Sequence, residues 1–228
     1  MPPKNLTQAM VDAVGREIVT GEYDRNTFPT EADLSRRYKV SRQVTREAVK
    51  MLTAKGLLVA RTRSGTRVAP PQSWNLLDSD VLGWLLEREF SLDLLRQFNE
   101  LRLAIEPAAA TLAARYANGE QRSQIVAALE RMKMAEDGRD DTLEADIEFH
   151  VAILRASGNP FFYQLRAMVA TALRTSIRFT NTIVGRSASV EDHAAVCEAI
   201  LRGDGDRAAQ AMHFILGEVL DLIGQSKD

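Results

Sequence analysis

Two types of metal-binding side chain lie four residues apart in the middle of the chain. Asp146 and His150 fall in a stretch with helical periodicity, so both side chains are expected on one face of a helix. His193 follows in a later predicted helix. A carboxylate and two imidazoles can hold a divalent ion, and imidazoles suit Zn²⁺, Ni²⁺ or Mn²⁺. The same spacing also occurs as a surface pair, so both interpretations stay open at this point.

Two arginines stand among apolar residues of the same region. Arg102 lies between two leucines, and Arg174 lies in an apolar stretch after residue 160. A guanidinium inside a helical bundle needs an anionic partner, because burying it unpaired is too costly. Two such arginines near a metal would form an anion-binding pocket. The alternative is structural salt bridges, for example between Arg102 and Glu100 or Glu106.

The stretch from Ser41 to Gly56 has the pattern of a helix that reads DNA. Ser41 is a suitable N-cap, and Gly56 suits a left-handed C-terminal position. Arg42, Gln43 and Arg46 come at its start, opposite an apolar face. Arginine pairs well with guanine and glutamine with adenine in the major groove, and both also reach phosphates.

The elements around this helix predict a winged helix-turn-helix. A shorter helix is predicted from Thr30 to Tyr38, with Asp33 placed to complete a capping box. Two strands, 57–60 and 66–69, flank the basic hairpin tip 61–65. This wing carries Arg61, Arg63 and Arg67, which suit phosphates or a minor groove. Plain surface charge is the alternative for Arg63 and Arg67.

The rest of the chain is predicted to be helical. Residues 1–70 form the predicted DNA-binding domain, 71–77 a stiff proline-containing linker, and 78–228 a bundle of six or seven helices. The fold class is therefore mainly α, with an N-terminal winged helix-turn-helix followed by an all-α bundle.

Charge and composition exclude several classes of protein. Residues 1–70 carry 13 Lys and Arg against 7 Asp and Glu, whereas residues 71–228 carry 16 against 24. A basic head on an acidic body indicates a polyanionic partner for the head alone. The single cysteine excludes an internal disulfide, and we find neither a signal peptide nor an apolar run of roughly 18 residues, so a cytoplasmic location is expected. Glycine-rich phosphate loops and nucleophile motifs are absent, so we predict no enzyme.

A resemblance to known regulators is carried by segments 21–23, 28–34, 40–48, 56–58 and 65–68, and in the helical remainder by segments 100–107, 146–150, 158–160, 192–193 and 200–204. On the first set, the first 70 residues resemble the GntR family of bacterial winged-helix regulators. On the second set, the helical remainder resembles its FCD, or FadR-like, subfamily. The segment Trp74–Trp84 has a narrower resemblance, to galactonate-operon repressors and their sugar-acid-responsive relatives.

The resemblance implies roles for the DNA-binding head. Arg42 and Arg46 are implied to contact bases and backbone. This sequence departs from the family pattern at two places. The helix after Thr30 lacks the usual basic residue, so its DNA contact would be lost or moved to Arg36 or Arg37. The recognition helix has Thr45 in place of the usual valine. The implied DNA-binding residues are Ser41, Arg42, Gln43, Thr45, Arg46, Arg63, Gly65 and Thr66.

The resemblance also implies a metal site formed by one aspartate and three histidines. Asp146, His150 and His193 match three of these, but the fourth position is Ile215. His213 is two residues short of it, a rotation of about 200° on a helix, so it should face away. Either a metal is bound with water or effector filling the gap, or the imidazoles bond the effector directly. The implied effector-binding residues are Arg102 and Arg174 for a carboxylate, Thr180 and Asn181 for hydroxyls, and the three metal ligands.

These expectations describe a homodimeric regulator of transcription, most simply a repressor, that reads a palindromic operator in double-stranded DNA. The resemblance implies a sugar acid of the aldonate or galactonate type as the effector. The alternatives are an FCD regulator that responds to a lactate-like acid or a uronate, a metal-dependent enzyme, and a non-specific nucleoid protein. No membrane partner is expected.

Overall fold

A computed structural model of the protein describes residues 5–24, 27–61, 65–88, 91–183 and 189–225. The chain divides into two compact units, Met1–Phe90 and Ser91–Asp228. The predicted class, a mainly α chain with an N-terminal winged helix-turn-helix, is confirmed. Within the described parts of the chain, no helix combines the length and the apolar character that a bilayer span requires.

The N-terminal unit contains four helices and one hairpin among its described residues. The helix that begins at Glu31 has the predicted capping box, with the Thr30 hydroxyl accepting the backbone N–H of Asp33 and the Asp33 carboxylate accepting that of Thr30. Lys39 ends this helix in the left-handed region, at φ 53°, and forms the tight turn into the next helix. The elements are α1 Leu6–Val19, α2 Glu31–Tyr38, α3 Arg42–Ala54, β1 Leu58–Arg61, β2 Gly65–Val68, a 3-10 turn Pro71–Ser73, and α4 Ser79–Arg88.

The hairpin and the helices share one apolar core. β1 and β2 are antiparallel, with Leu58 paired to Val68 and Arg61 to Gly65, one residue from the predicted strand bounds. The helix α1 packs against α3 and α4, and α2 packs against α3. The core side chains include Val11, Val14, Ile18, Leu34, Leu52, Leu57, Val81 and Trp84.

The predicted domain boundary differs from the one in the structure. The sequence prediction counted 78–228 as one domain, but α4 belongs to the N-terminal unit. The reason is apolar packing, since Val81 and Trp84 are buried in the core of that unit. The indole of Trp84 lies so close to Gly15 that a Cβ there would be 2.3 Å from the ring. Only a glycine permits this approach between α1 and α4.

The predicted linker 71–77 is held against the end of α3. Gly56, at φ +76°, allows a carbonyl of Ser73 to come within 2.1 Å of where a Cβ would stand. The backbone N–H of Asn75 donates to the carbonyl of Lys55 at 3.0 Å. The indole N–H of Trp74 donates to the carbonyl of Ala69 at 3.0 Å. These bonds satisfy backbone groups at the end of the wing and of α3 that water would otherwise have to solvate.

A charged cluster fixes the start of α4, and we call it the Lys55 clamp. The Lys55 ammonium donates to both carboxylate oxygens of Asp78, at 2.8 and 2.7 Å, and to Asp80 at 2.8 Å. Asp78 also accepts the backbone N–H groups of Asp80 and Val81, so it caps α4. The C-terminus of α3 and the N-terminus of α4 are therefore joined by charge-assisted hydrogen bonds.

Every regular element among the described residues of the C-terminal unit is a helix. The elements are α5 Leu92–Tyr116, α6 Gly119–Glu136, α7 Thr142–Ala156, α8 Pro160–Gln164, α9 Arg166–Ile183, α10 Val190–Arg202 and α11 Gly205–Gln225. The helix α5 packs against α7, α9, α10 and α11, and α6 packs against α7 and α10. The predicted helix 160–183 is divided at Leu165 into a short and a long helix.

Candidate metal and DNA sites

Two helices of the C-terminal unit bring the three predicted metal ligands together. Asp146 and His150 lie one turn apart on α7, and His193 lies in the first turn of α10, which Ser189 caps. The Nε2 atoms of the two imidazoles are 3.4 Å apart. The Oδ1 atom of Asp146 lies 3.1 Å from Nε2 of His193 and 3.7 Å from Nε2 of His150. All three side chains are buried.

The far nitrogen of each imidazole has an acceptor of its own. Nδ1 of His150 donates to the carboxylate of Glu106 at 2.5 Å, and Nδ1 of His193 donates to the carbonyl of Ser189 at 2.7 Å. A neutral ring carries one proton, so each Nε2 presents a lone pair to the centre. Asp146 Oδ1 is buried without a hydrogen bond among the described residues. With the ring protons on Nδ1, three acceptor atoms converge on one point.

The pKa directions show that this point favours positive charge. Burial raises the pKa of Asp146, but its contact with His193 and the charges of both rings and of Arg102 outweigh it and hold that pKa below the ordinary value. Burial lowers the pKa of His193, but the close contact with Asp146 and the charge of that carboxylate outweigh it, so this pKa is raised. A proton on the cluster or a cation at its centre removes the repulsion between the acceptors.

The residues present fit a divalent ion. Ligand bonds of about 2.1 Å place neighbouring ligands about 3.0 Å apart in an octahedron and about 3.4 Å apart in a tetrahedron, close to the three separations observed. Histidine ligands of metals donate their second nitrogen to a carboxylate or a carbonyl, as both rings do here. His213 is exposed, as the helical rotation predicted, so it is not part of this cluster.

Glu106 is a member of this site that sequence reasoning named only as a salt-bridge alternative. Arg102 donates from Nε to Glu106 at 2.6 Å and from NH1 to Asn99 at 3.3 Å. The Arg102 and Glu106 side chains are each 1% exposed. Burial raises the pKa of Glu106, but the charges of Arg102 and His150 and the hydrogen bonds that they donate lower it to about 2. The carboxylate is therefore ionised.

Of the other predicted effector-binding residues, one pairs with a carboxylate outside the cluster and two have side chains outside the described part of the chain. Arg174 forms a partly exposed bidentate pair with Glu144, at 3.0 and 3.1 Å, across α9 and α7. Its position therefore corresponds to the salt-bridge alternative. The side chains of Thr180 and Asn181 lie outside the described residues.

The predicted DNA-binding residues at the start of α3 form an exposed surface, with one exception. The Ser41 hydroxyl caps the helix by accepting the backbone N–H of Val44 at 3.2 Å. Arg42, Gln43 and Arg46 are exposed. Thr45 is 0% exposed, and its hydroxyl donates to the carbonyl of Ser41 at 3.3 Å. The structure therefore places Thr45 in the core, in contrast to its predicted place at the DNA surface.

Arg36 and Arg37, the two arginines of α2, have different partners and different exposure. Arg37 donates to Glu17 at 2.6 Å and to the hydroxyl of Tyr23 at 3.2 Å, so it is held in a bond network with α1. Arg36 is exposed and pairs with Asp33. Of the two positions to which the missing basic contact could move, Arg36 is thus the more accessible.

In the wing, Gly65 adopts φ +74° and is exposed, while Thr66 is half-buried and Arg67 exposed. Arg63 lies outside the described residues. The wing of the described chain therefore offers Arg67 as its accessible basic side chain.

Comparison with known proteins agrees with both halves of this description. Residues 6–68 match the family described as bacterial regulatory proteins, gntR family, and residues 97–217 match the FCD domain. The chain is 36% identical to the galactonate operon transcriptional repressor of Escherichia coli over 212 residues, which covers 91% of this chain and 92% of that protein. It is 33% identical to the uncharacterized regulator YieP of E. coli over 216 residues, 93% of each chain.

Solved structures show the same fold. A GntR protein of Streptococcus agalactiae aligns with a TM-score of 0.52 at 24% identity, covering 94% of this chain and 99% of that one. A structure titled for Lar, which controls the agr system of Listeria monocytogenes, aligns with a TM-score of 0.60 at 18% identity, covering 99% of each chain. The family and these relatives are regulators of transcription rather than enzymes. The chain therefore belongs to the GntR family of bacterial transcriptional regulators and carries the FCD domain of that family.

Proposed function

We propose that this regulator represses genes of sugar-acid catabolism and is released from its operator by an aldonate-type acid bound in the C-terminal unit. The observation that carries the proposal is the buried convergence of Asp146, His150 and His193 beside Arg102. The 36% identity to a galactonate operon repressor supports the sugar-acid class. A divalent ion held by those three ligands would supply open coordination positions for carboxylate and hydroxyl oxygens of the effector.

The charges of the site support an effector with one carboxylate. Imidazoles that ligate a metal are neutral, so with an ion bound Asp146 and Glu106 bring two negative charges against the one positive charge of Arg102. A divalent ion would convert this net negative site into one with a single positive charge. One carboxylate would then neutralise it, whereas a dicarboxylate would leave an unpaired charge in a buried position, which is costly.

DNA binding is proposed to use the exposed start of α3 and the wing. Arg42, Gln43 and Arg46 would reach base edges, and Arg67 would contact backbone phosphates. A homodimer would place two copies of α3 in successive major-groove half-sites about 34–36 Å apart on a palindrome. The effector can release DNA only if it binds more tightly to a dimer geometry that does not fit the operator.

The test is calorimetric unfolding of the purified full-length protein with a panel of acids. The panel pairs each aldonate with the aldarate of the same carbon chain, and adds lactate and uronates. An effector at ~100 times its dissociation constant adds roughly 2.7 kcal/mol of stability, which corresponds to a shift of about 5–10 °C for a chain of this size. We expect one aldonate to give this shift and its paired aldarate to give none.

Operator binding completes the test. Fluorescence anisotropy with promoter DNA of sugar-acid catabolic genes should show binding that the active aldonate reverses. A chelator should abolish the thermal shift if the metal is part of the site. A shift with lactate or a uronate alone would assign the effector to that class instead, and the absence of any operator binding at moderate salt would refute the proposal.

A further inference from the structure

The carboxylate of Glu106 occupies a bridging position that the proposed function does not yet use. One oxygen accepts from Nε of Arg102 at 2.6 Å, and the other accepts from Nδ1 of His150 at 2.5 Å. Arg102 and Glu106 lie one turn apart on α5, whereas His150 lies on α7. A single buried group thus joins the arginine beside the site to one of the metal-binding imidazoles.

Glu106 contacts the outer nitrogen of His150, so it is not itself one of the three converging groups. It can act on the site in two ways. Its hydrogen bond fixes the ring orientation and keeps the proton on Nδ1, which leaves Nε2 free to bind a metal. Its negative charge also cancels the positive charge of Arg102, which would otherwise repel a cation bound nearby.

We propose that Glu106 is a positioning residue that prepares His150 for a divalent cation and neutralises Arg102 within the same site. This inference rests on the metal site of the proposed function and adds a role for a residue outside its ligand set. In this arrangement Arg102 and Glu106 affect cation affinity in opposite directions, because their charges are opposite. A purely structural salt bridge predicts that loss of either partner weakens the site.

The experiment measures cation affinity of the full-length, metal-free protein with no effector or DNA present. Co²⁺ is titrated, and its visible absorption band reports both occupancy and the ligand set. Glu106→Gln keeps an acceptor for His150 but leaves Arg102 unpaired, so we expect the dissociation constant to rise about 10- to 100-fold. Arg102→Met leaves the negative charge, so we expect the dissociation constant to fall or stay unchanged. The double variant should recover much of the lost affinity.

A matched control is available on the same helix. Arg96 and Glu100 form a partly exposed ion pair with the same four-residue spacing on α5. Arg96→Met and Glu100→Gln should leave Co²⁺ affinity unchanged. Circular dichroism checks that each variant is folded; if Glu106→Gln is unfolded, the folded double variant and Arg102→Met carry the comparison.

The inference is overturned if Arg102→Met weakens Co²⁺ binding as much as Glu106→Gln does, or if the double variant is weaker than either single variant. It is also overturned if Glu106→Gln binds Co²⁺ as the unsubstituted protein does, in which case the metal site itself still stands. Failure of the unsubstituted protein to bind Co²⁺, Zn²⁺, Ni²⁺ or Mn²⁺ would overturn the metal site and this inference together.

Discussion

Replacing Lys55 by methionine tests whether the Lys55 clamp holds α4 on the DNA-binding head. The substitution keeps the aliphatic stem but removes all three hydrogen bonds to Asp78 and Asp80. The Lys55 side chain is 13% exposed, and the two carboxylates are 23% and 41% exposed. Burial lowers the pKa of Lys55, but its bonds to both aspartates outweigh it and raise that pKa, so the ammonium is charged at neutral pH.

The expected cost follows from this intermediate burial. Exposed ion pairs contribute about 0.2–1 kcal/mol, and breaking a fully buried pair costs about 3–5 kcal/mol. We therefore expect Lys55→Met to lower the free energy of unfolding of the N-terminal unit by about 1–3 kcal/mol. Asp78 still caps α4 in this variant, because its bonds to the backbone of Asp80 and Val81 do not involve Lys55.

Tryptophan fluorescence in urea measures this unit selectively. The chain has two tryptophans, Trp74 and Trp84, and both belong to the core of the N-terminal unit. Lys50→Met is the matched control, since Lys50 lies on the same helix, is 64% exposed and pairs with an exposed glutamate. It removes the same charge and should change stability by less than about 0.5 kcal/mol. Equal urea midpoints for the two variants would refute the reasoning.

Three further predictions concern packing, DNA binding and pH. Gly15→Ala places a methyl group against a buried indole and should destabilise the N-terminal unit by about 1–3 kcal/mol, measured by urea denaturation. In the same assay Gly83→Ala, where a Cβ would meet nothing within 4 Å, should be neutral or stabilising. Arg46→Ala should weaken operator binding about 5- to 150-fold in anisotropy. Arg139→Ala removes the same charge from the C-terminal unit and should not weaken it. Equal operator binding by the Arg46→Ala variant and the unsubstituted protein would refute the assignment of α3 to the DNA surface. Burial lowers the pKa of His193, but its carboxylate partner more than offsets this and raises it above the ordinary 6.5. Protons then compete with the metal, so Co²⁺ affinity should rise between pH 6 and pH 8; a flat profile would contradict this.

The helix-turn-helix could be predicted from sequence because its signals are local. The caps at Thr30 and Ser41 lie within three residues of the groups they bind. The placement of Thr45 at the DNA surface was wrong, because Thr45 lies on the buried face of α3. Thr45 precedes Ala48 and Leu52 by three and seven residues and therefore shares their buried face, a pattern that the sequence already contains.

The site and the domain boundary depended on contacts that are distant in sequence. Asp146 and His150 could be paired from their helical spacing, but the bond between His150 and Glu106 spans 44 residues and depends on how α5 packs against α7. The Lys55 clamp spans 23 residues. The proline-containing segment 71–77 predicted a linker before α4. Periodicity does not show which unit a short helix such as α4 packs against.

The attachment of α4 to the head has a practical consequence for building hybrid regulators. A chimera that joins a foreign sensor directly after residue 70 would remove α4 and expose the apolar surface of α1 that Val81 and Trp84 cover. It would also leave Lys55 without its carboxylates. A junction between Phe90 and Ser91 keeps the head intact as one transplantable module. In such a chimera, residues 71–88 should therefore stay with the DNA-binding head and should not be exchanged with the C-terminal unit.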